Sequence, residues 1–240
     1  MVFHAQIISK TPQHQDTDND GPVQTDRFDH WRVLLVAPSL EVLDEWWRLT
    51  DDSKKYKSVK RITPEWYTYA RSELDVYYTI QKGGPAESLA SLVVPMLQAD
   101  WGGRQWNMID SQQRATDQRS GNVFYIRSSA DPRLFWYHSE RDNTIQLFEG
   151  RGTPFKISIA KSGDEGKVMI DSDPINISVL TKGSNENGNA VSAGDDGVLH
   201  VGTKPDTFHF SDLRGGFLAP SSSDKRISKV SVGQNFELVQ

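Results

Sequence analysis

The sequence of 240 residues contains no cysteine, which excludes disulfides, cysteine-ligated zinc and cysteine nucleophiles. Long apolar runs are also missing, because no window approaches the roughly 18 residues of a membrane-spanning helix. The first residues, Met1 to Gln6, carry neither a basic segment nor an apolar core and are not typical of a signal peptide. We therefore expect a protein that stays in the cytoplasm and has no membrane span.

An excess of positive charge is absent from both halves of the chain. Residues 1–120 carry 14 basic and 17 acidic side chains, and residues 121–240 carry 13 and 15. A nucleic-acid surface would need a basic excess, so we expect no nucleic-acid partner.

Recognisable catalytic patterns are missing as well. The six histidines show no zinc-binding spacing, and neither a Gly-x-Ser-x-Gly elbow nor a glycine-rich phosphate loop is present. Neighbouring carboxylates such as Asp44 and Glu45 are expected on a solvated helix face. The sequence thus gives no catalytic residue and no cofactor, although a triad assembled only in space stays open.

The opening segment, residues 1–30, is polar and is interpreted as a flexible arm. Within it, Asp16, Asp18 and Asp20 precede Gly21 as in the first half of a calcium loop. The twelfth position of such a loop should be a bidentate glutamate, and here it is Arg27. The three aspartates are therefore weak metal candidates, and an acidic solvated tail is the favoured interpretation.

Residues 31–110 are predicted to form a small α+β domain, followed by a polar linker at 111–120. A continuous apolar run predicts a buried strand, and aromatic or β-branched residues predict another. Apolar residues at helical spacing predict two helices, the second beginning at a proline. The predicted elements are a strand at 31–37, a helix at 40–49, a strand at 75–80 and a helix from Pro85 to about Leu97.

Residues 121–240 contain one sequence pattern three times. This internal repeat determines the fold that we predict for this half of the chain. Each copy opens with an apolar run that leads to serine and aspartate, at Val123, Val168 and Phe217. Each copy closes with a Phe-x-apolar strand, and a further apolar residue precedes that phenylalanine by nine or ten positions. The closing phenylalanines are Phe155, Phe208 and Phe236, and the preceding residues are Ile145, Val198 and Ile227.

Short alternating segments separated by glycine, proline and asparagine predict an all-β domain in this half. The first copy contains four predicted strands, the second contains four, and the third contains three. The predicted strands are 123–128, 134–138, 144–149 and 154–159 in the first copy, and 167–171, 175–181, 197–201 and 207–211 in the second.

Three copies of a four-strand unit resemble a β-trefoil. The opening Val123-Phe-Tyr-Ile-Arg-Ser-Ser-Ala-Asp-Pro132 and the closing Thr153-Pro-Phe-Lys-Ile157 are similar to the first repeat of ricin-B-like and fungal trefoil lectins. The Gln-x-Trp signature of the ricin family is replaced in this sequence by Thr-Pro-Phe, Asp-Thr-Phe and Gln-Asn-Phe.

The resemblance implies carbohydrate binding, with a glycan or glycoprotein as partner. In trefoil lectins an aspartate binds sugar hydroxyls and an aromatic ring stacks on the sugar, beside the first two strands of a repeat. An alternative for each aspartate is a turn-capping role, and for the tryptophan a place in the core. The implied site residues are Asp131, Arg133, Trp136, Tyr137 and His138 in the first copy, Asp173 and Asn176 in the second, and Asp224 in the third.

Two other functions remain open at this stage. The first half could be the catalytic domain of an enzyme or toxin that the trefoil directs to its target. Alternatively, a trefoil protease inhibitor could insert the polar segment 184–197 into a target cleft. Association of identical chains is open as well.

Overall fold

The computed structural model describes residues 2–10, 32–70, 76–97, 115–180, 189–219 and 225–240. The chain divides into two units, Met1–Asp117 and Gln118–Gln240. Their boundary lies inside the predicted linker at 111–120. Strands are the main regular structure of both units, so the fold is rich in β-structure.

The described residues of the first unit form a five-stranded sheet and one helix longer than a single turn. Its elements are β1 Phe3–Lys10, β2 Arg32–Ala37, α1 Leu40–Asp52, β3 Lys60–Thr63, β4 Trp66–Ala70, α2 Tyr77–Ile80, a 3₁₀ turn Glu87–Leu89 and β5 Val94–Leu97. The strand order is β3-β4-β1-β2-β5. Strands β1 and β4 run parallel, and the other three pairs are antiparallel.

Strand β1 corrects the prediction of a flexible arm over residues 1–30. Residues 3–10 form the central strand of the sheet, with Ala5 and Ile7 buried in the core. Alternating apolar residues explain this, since Ala5 and Ile7 point to one face. The weak calcium candidates Asp16, Asp18 and Asp20 lie outside the described residues.

The end of the first unit also differs from the prediction. Residues 77–80 form a short helix instead of part of a strand, and the helix expected after Pro85 is replaced by a 3₁₀ turn and strand β5. Pro95 explains the second difference, because it lacks the N–H that a helix interior needs. Strand β5 pairs with β2 at the edge of the sheet, where a missing donor is tolerated.

Helix α1 buries an apolar face in the first unit. It begins at Leu40, as predicted, and Leu43, Trp46 and Trp47 are buried. The Trp46 ring meets Tyr67 edge-on at 5.4 Å, and its indole N–H donates a hydrogen bond of 2.8 Å to Thr79 Oγ1. Burying a ring of this size contributes about 2–3 kcal/mol relative to leaving it exposed.

Eleven strands lie in the described residues of the second unit. They are β6 Val123–Ser128, β7 Leu134–Ser139, β8 Thr144–Glu149, β9 Phe155–Ile159, β10 Pro174–Val179, β11 Ala190–Ala193, β12 Leu199–Gly202, β13 Phe208–His209, β14 Arg214–Leu218, β15 Ser228–Lys229 and β16 Gln234–Val239. A 3₁₀ turn, Phe210–Leu213, joins β13 to β14. The four strands predicted for the first copy are confirmed to within one residue.

Strand pairing in the second unit closes on itself. Seven strands form a closed barrel in the order β6-β7-β8-β12-β11-β10-β9, and β9 returns to β6. The opening strands β6, β10 and β14 also pair with the closing strands β9, β13 and β16 of the same copies. Neighbouring copies join through β9–β10 and β16–β6. Closure leaves these strands without a free edge.

The residues Ile145, Val198 and Ile227 mark where the three copies meet. All three are buried, at 0%, 7% and 0% exposure. The Ile227 N–H donates to the Ile145 carbonyl at 2.8 Å, and the Leu199 N–H donates to the Ile227 carbonyl at 2.8 Å. Ile145 and Ile227 therefore take part in backbone hydrogen bonds between the copies, and Val198 forms an isolated bridge with Ser228.

Phe155, Phe208 and Phe236 converge on one core, as predicted. Trp136 lies 6.0 Å from Phe155 and 5.5 Å from Phe236, measured between ring centroids. Phe217 lies 5.1 Å from Trp136 and 5.5 Å from Phe208. It therefore links Phe208, the closing residue of the second copy, to the same cluster. Edge-to-face pairs of this kind add about 0.5–1.5 kcal/mol each beyond the area they bury.

The second copy begins later than predicted. Val168 makes one isolated bridge to Arg119 instead of forming the expected strand at 167–171, and the opening strand is β10. Val168 and Met169 are buried in the connection between copies, which explains their apolar character. Strand β11 lies within the segment 184–197 that was expected to be a polar insert.

Candidate functional site

Strand β7 carries three of the eight predicted site residues, and Asp131 and Arg133 lie just before it. Alternation along β7 sends Phe135 and Tyr137 outward and Trp136 and His138 inward. The turn of the β7–β8 hairpin is stabilised by Asp142, whose side chain accepts hydrogen bonds from the Thr144 N–H at 3.4 Å and Oγ1 at 3.0 Å. A hydrogen bond with the Ser139 side chain is the largest cause that lowers the pKa of Asp142, and the bonds from Thr144 lower it further.

Two predicted residues form a polar corner at the open end of this hairpin. Asp131 Oδ1 accepts hydrogen bonds of 3.1 Å from both the backbone N–H and Nε of Arg133, and Arg133 Nη2 lies 2.9 Å from Asp131 Oδ2. Arg133 Nη1 also lies 3.2 Å from Glu149 Oε1. The hydrogen bonds from Arg133 lower the pKa of Asp131. This carboxylate therefore stays ionised at pH values at which an ordinary aspartate is protonated. The corner offers ionised oxygens and guanidinium donors to a polar ligand.

An aromatic surface lies along the outward side of the same hairpin. The Tyr137 and Phe148 rings are 5.4 Å apart, and Phe148 is 41% exposed. Phe135 follows Arg133 by two positions and Phe148 directly precedes Glu149, so the aromatic surface and the polar corner lie at the same end of the hairpin. Tyr125 and Phe135 extend it across Gly152, because a Cβ placed on that glycine would lie 2.8 Å from the Tyr125 ring and 3.2 Å from Phe135 Cβ. We call Tyr125, Phe135, Tyr137 and Phe148 the aromatic face.

Trp136 and His138 do not belong to this surface, which corrects their assignment as ligand-binding residues. Trp136 is 0% exposed and is enclosed by phenylalanine rings, and His138 is 9% exposed. The backbone N–H of His138 donates to Thr153 Oγ1 at 2.9 Å. Both side chains lie on the inward side of β7, where a ligand at the surface cannot reach them.

The candidates of the second copy are placed differently. Asp173 is 8% exposed, and its Oδ2 accepts a hydrogen bond of 2.9 Å from the Ile170 N–H, which is the turn-capping role. Asn176 lies in β10 opposite Ser158, and its buried Oδ1 has no hydrogen-bond partner among the described residues. Asp224 of the third copy lies outside the described residues. Of the predicted site residues that the structure describes, Asp131 and Arg133 are in direct contact, and Tyr137 lies on the outward side of the strand that follows them.

The first unit holds a buried ionisable pair that the sequence did not indicate. Arg61 Nη1 lies 2.6 Å from Asp44 Oδ1, and the side chains are 0% and 2% exposed. Burial raises the pKa of Asp44 to about 7, although the nearby Arg61 guanidinium opposes this. A carboxyl with this pKa could exchange protons near neutral pH, but its burial keeps it from contacting a substrate. The expectation of a solvated carboxylate at Asp44 is wrong.

Metal and membrane sites receive no support from the described ranges. In those ranges no group of three or more His, Cys, Asp or Glu side chains is arranged to hold a metal ion. Among the helices described, none is both long enough and apolar enough to cross a membrane.

Comparisons with protein-family models, curated proteins and solved structures give no match.

Sequence reasoning missed four residues of this surface: Tyr125, Phe135, Phe148 and Glu149. Strand alternation could have found Phe135, which shares the outward direction of Tyr137, and Phe148, which is opposite Phe135. The positions of Tyr125 and Glu149 depend on contacts between separate parts of the chain.

Proposed function

We propose that the second unit is a β-trefoil that binds carbohydrate through the first copy. The observation that carries this proposal is the aromatic face beside the polar corner of Asp131, Arg133 and Glu149. For the first unit the proposal keeps the α+β class, supported by helix α1 next to a mixed sheet.

The trefoil assignment is supported by three features of the pairing. Each opening strand pairs with the closing strand of its copy. Strand pairs join the first copy to the second and to the third. Backbone hydrogen bonds join Ile227 to Ile145 and Leu199 to Ile227. The three closing phenylalanines share one core. A repeat of this kind cannot bury its apolar side alone, which explains why three copies are needed.

Carbohydrate is favoured as the ligand because the surface combines two kinds of contact. Exposed aromatic rings present flat apolar area, which matches the C–H side of a sugar ring. Carboxylate and guanidinium groups next to them accept and donate hydrogen bonds, which matches sugar hydroxyls. Asp131 and Arg133 already hold each other in place, so binding needs little ordering of these side chains.

A glycan array probed with the full chain tests this proposal, followed by calorimetry with the strongest glycan. We expect Phe148→Ala and Asp131→Asn each to weaken binding by at least about fivefold, the equivalent of ~1 kcal/mol. Matched controls are Tyr78→Ala, which removes an exposed ring of the first unit, and Asp195→Asn, which removes an exposed carboxylate of the second copy. Both controls should bind normally.

The array also gives the result that would overturn the proposal. If no glycan is retained by the folded protein, carbohydrate binding is wrong. If a glycan binds and both Phe148→Ala and Asp131→Asn keep full affinity, the position of the site is wrong.

A further inference from the structure

A row of four side chains crosses the aromatic face. The Arg151 guanidinium lies 5.0 Å from the Tyr137 ring centroid, and the Lys225 ammonium lies 5.4 Å from the Phe148 centroid. The two rings are 5.4 Å apart. The order of the groups in space is therefore cation, ring, ring, cation. The two cations come from separate parts of the chain.

Within the described part of the chain, no carboxylate pairs with the two cations of this row. Arg151 and Lys225 form no ion pair with any described residue. Two other cations of the second unit also lie over rings, but each of these has a carboxylate partner: Arg214 pairs with Asp171, and Lys229 pairs with Asp212. Arg133 at the polar corner is likewise offset by Asp131 and Glu149. The row is thus a local positive site on a chain whose net charge is −5.

We propose that the ligand of the first copy is an acidic saccharide, a sugar chain that bears carboxylate or sulfate groups. This inference rests on the carbohydrate binding proposed above and names its chemical class. The saccharide lies on the aromatic face, and its acidic groups pair with Arg151 and Lys225.

Physical reasons favour this occupant over a neutral sugar. The rings hold both cations in position through cation–π contacts, so less side-chain entropy is lost when an anion binds. The planar guanidinium of Arg151 can hold a carboxylate or sulfate by two parallel hydrogen bonds, whereas the Lys225 ammonium acts as a point charge. A neutral sugar would leave both cations without a partner.

Calorimetry with the full chain tests the acidic class through matched probes. The first pair is a galacturonate trimer and the same trimer with its carboxyls methyl-esterified. The second pair is a sulfated galactose trimer and its unsulfated parent. We expect the charged member of at least one pair to bind at least about tenfold more tightly than its neutral member, and the pair that responds identifies carboxylate or sulfate. This preference should shrink at about 1 M salt, where the screening length is about 3 Å.

Two variants test whether Arg151 and Lys225 cause the preference for the charged probe. Arg151→Gln and Lys225→Gln should each weaken binding of the charged probe by about fivefold, and leave the neutral probe unchanged. Lys204→Gln is the matched control and should have no effect, because Lys204 is an exposed lysine of the second copy that lies over no ring among the described residues.

Three results overturn the inference. Equal binding of charged and neutral probes refutes the acidic class and leaves carbohydrate binding intact. An unchanged preference in both variants refutes the site. Binding of single-stranded oligothymidylate as tight as that of the charged trimers refutes the saccharide. If neither the array nor the trimers bind, the proposed function itself fails.

Discussion

Arg61 Nη1 and Asp44 Oδ1 lie 2.6 Å apart in the core of the first unit. Helix α1 supplies the carboxylate, and strand β3 supplies the guanidinium. Asp117 Oδ1 lies 3.1 Å from Arg61 Nη2 and adds a second negative charge near the same guanidinium. Desolvation is the largest influence on the carboxyl and raises the pKa of Asp44 to about 7. The folded state consequently binds a proton at Asp44 more readily than the unfolded state does.

This relationship predicts the pH dependence of stability in the first unit. Between about pH 4, the ordinary value of an aspartate, and about pH 7, the folded state holds a proton that the unfolded state has lost. The contribution of Asp44 to stability is therefore fully present below about pH 4 and is lost as the pH rises through about 7. Asp44→Asn, which does not titrate, should remove this contribution. Denaturant unfolding of both proteins across this range measures the difference.

A control for this prediction is Asp51→Asn, on the same helix but partly exposed. It should leave the pH dependence unchanged. Carbon-13 titration of the Asp44 carboxyl gives a direct second measurement, with an expected midpoint near pH 7. An ordinary midpoint near pH 4 would contradict the prediction.

The place of Trp136 in the core predicts that stability and binding respond separately to its substitution. Trp136→Phe should destabilise the second unit by about 1–3 kcal/mol, because a smaller ring leaves space among three phenylalanines. The indole N–H has no hydrogen-bond partner among the described residues, so no such bond is lost. Affinity for any glycan found on the array should stay unchanged. Denaturant unfolding measures the stability, and calorimetry on the same sample measures the affinity. A folded variant that has lost affinity would show that Trp136 belongs to the binding site.

Several elements could be predicted from the sequence because their signals are local. Alternation and turn residues located all four strands of the first copy. The repeated Phe-x-apolar pattern located the shared core, since large rings at matching positions of a closed structure meet at its centre. The coarse β-rich character of the chain follows from the same signals.

The misses have a common physical cause, which is dependence on distant partners. The burial of Asp44 depends on Arg61, 17 residues away, and no local pattern shows that they meet. Strand β5 carries apolar residues that suit a helix equally well, and its pairing with β2 decides between them. Alternation showed that neighbours on β7 face opposite ways, but the direction of Trp136 depends on where the barrel closes.

Gly233 should be intolerant of any side chain. A Cβ at this position would lie 2.2 Å from the Phe217 carbonyl oxygen and 2.7 Å from its carbon, both of which are backbone atoms. Gly233→Ala must therefore shift the chain where β14 pairs with β16, and we expect a loss of at least about 2 kcal/mol. Gly202→Ala is the control, since nothing lies within 4 Å of its Cβ and the change should stay within about 1 kcal/mol. Denaturant unfolding measures the stability of both variants. Equal losses of stability would contradict the close approach of Gly233 to the Phe217 backbone.

The polar corner predicts a specific response of Asp131 when Arg133 is replaced. The Arg133 side chain is the largest cause that lowers the pKa of Asp131, ahead of the backbone N–H, which any replacement retains. Arg133→Gln should therefore raise the pKa of Asp131 toward its ordinary value. Asp142 is an internal control in the same spectrum, because hydrogen bonds from Ser139 and Thr144 lower its pKa instead. Carbon-13 titration of the carboxyls measures both residues at once. If Asp131 keeps its low pKa in the variant, its backbone contact alone orders the carboxylate, and Arg133 is free to meet a ligand.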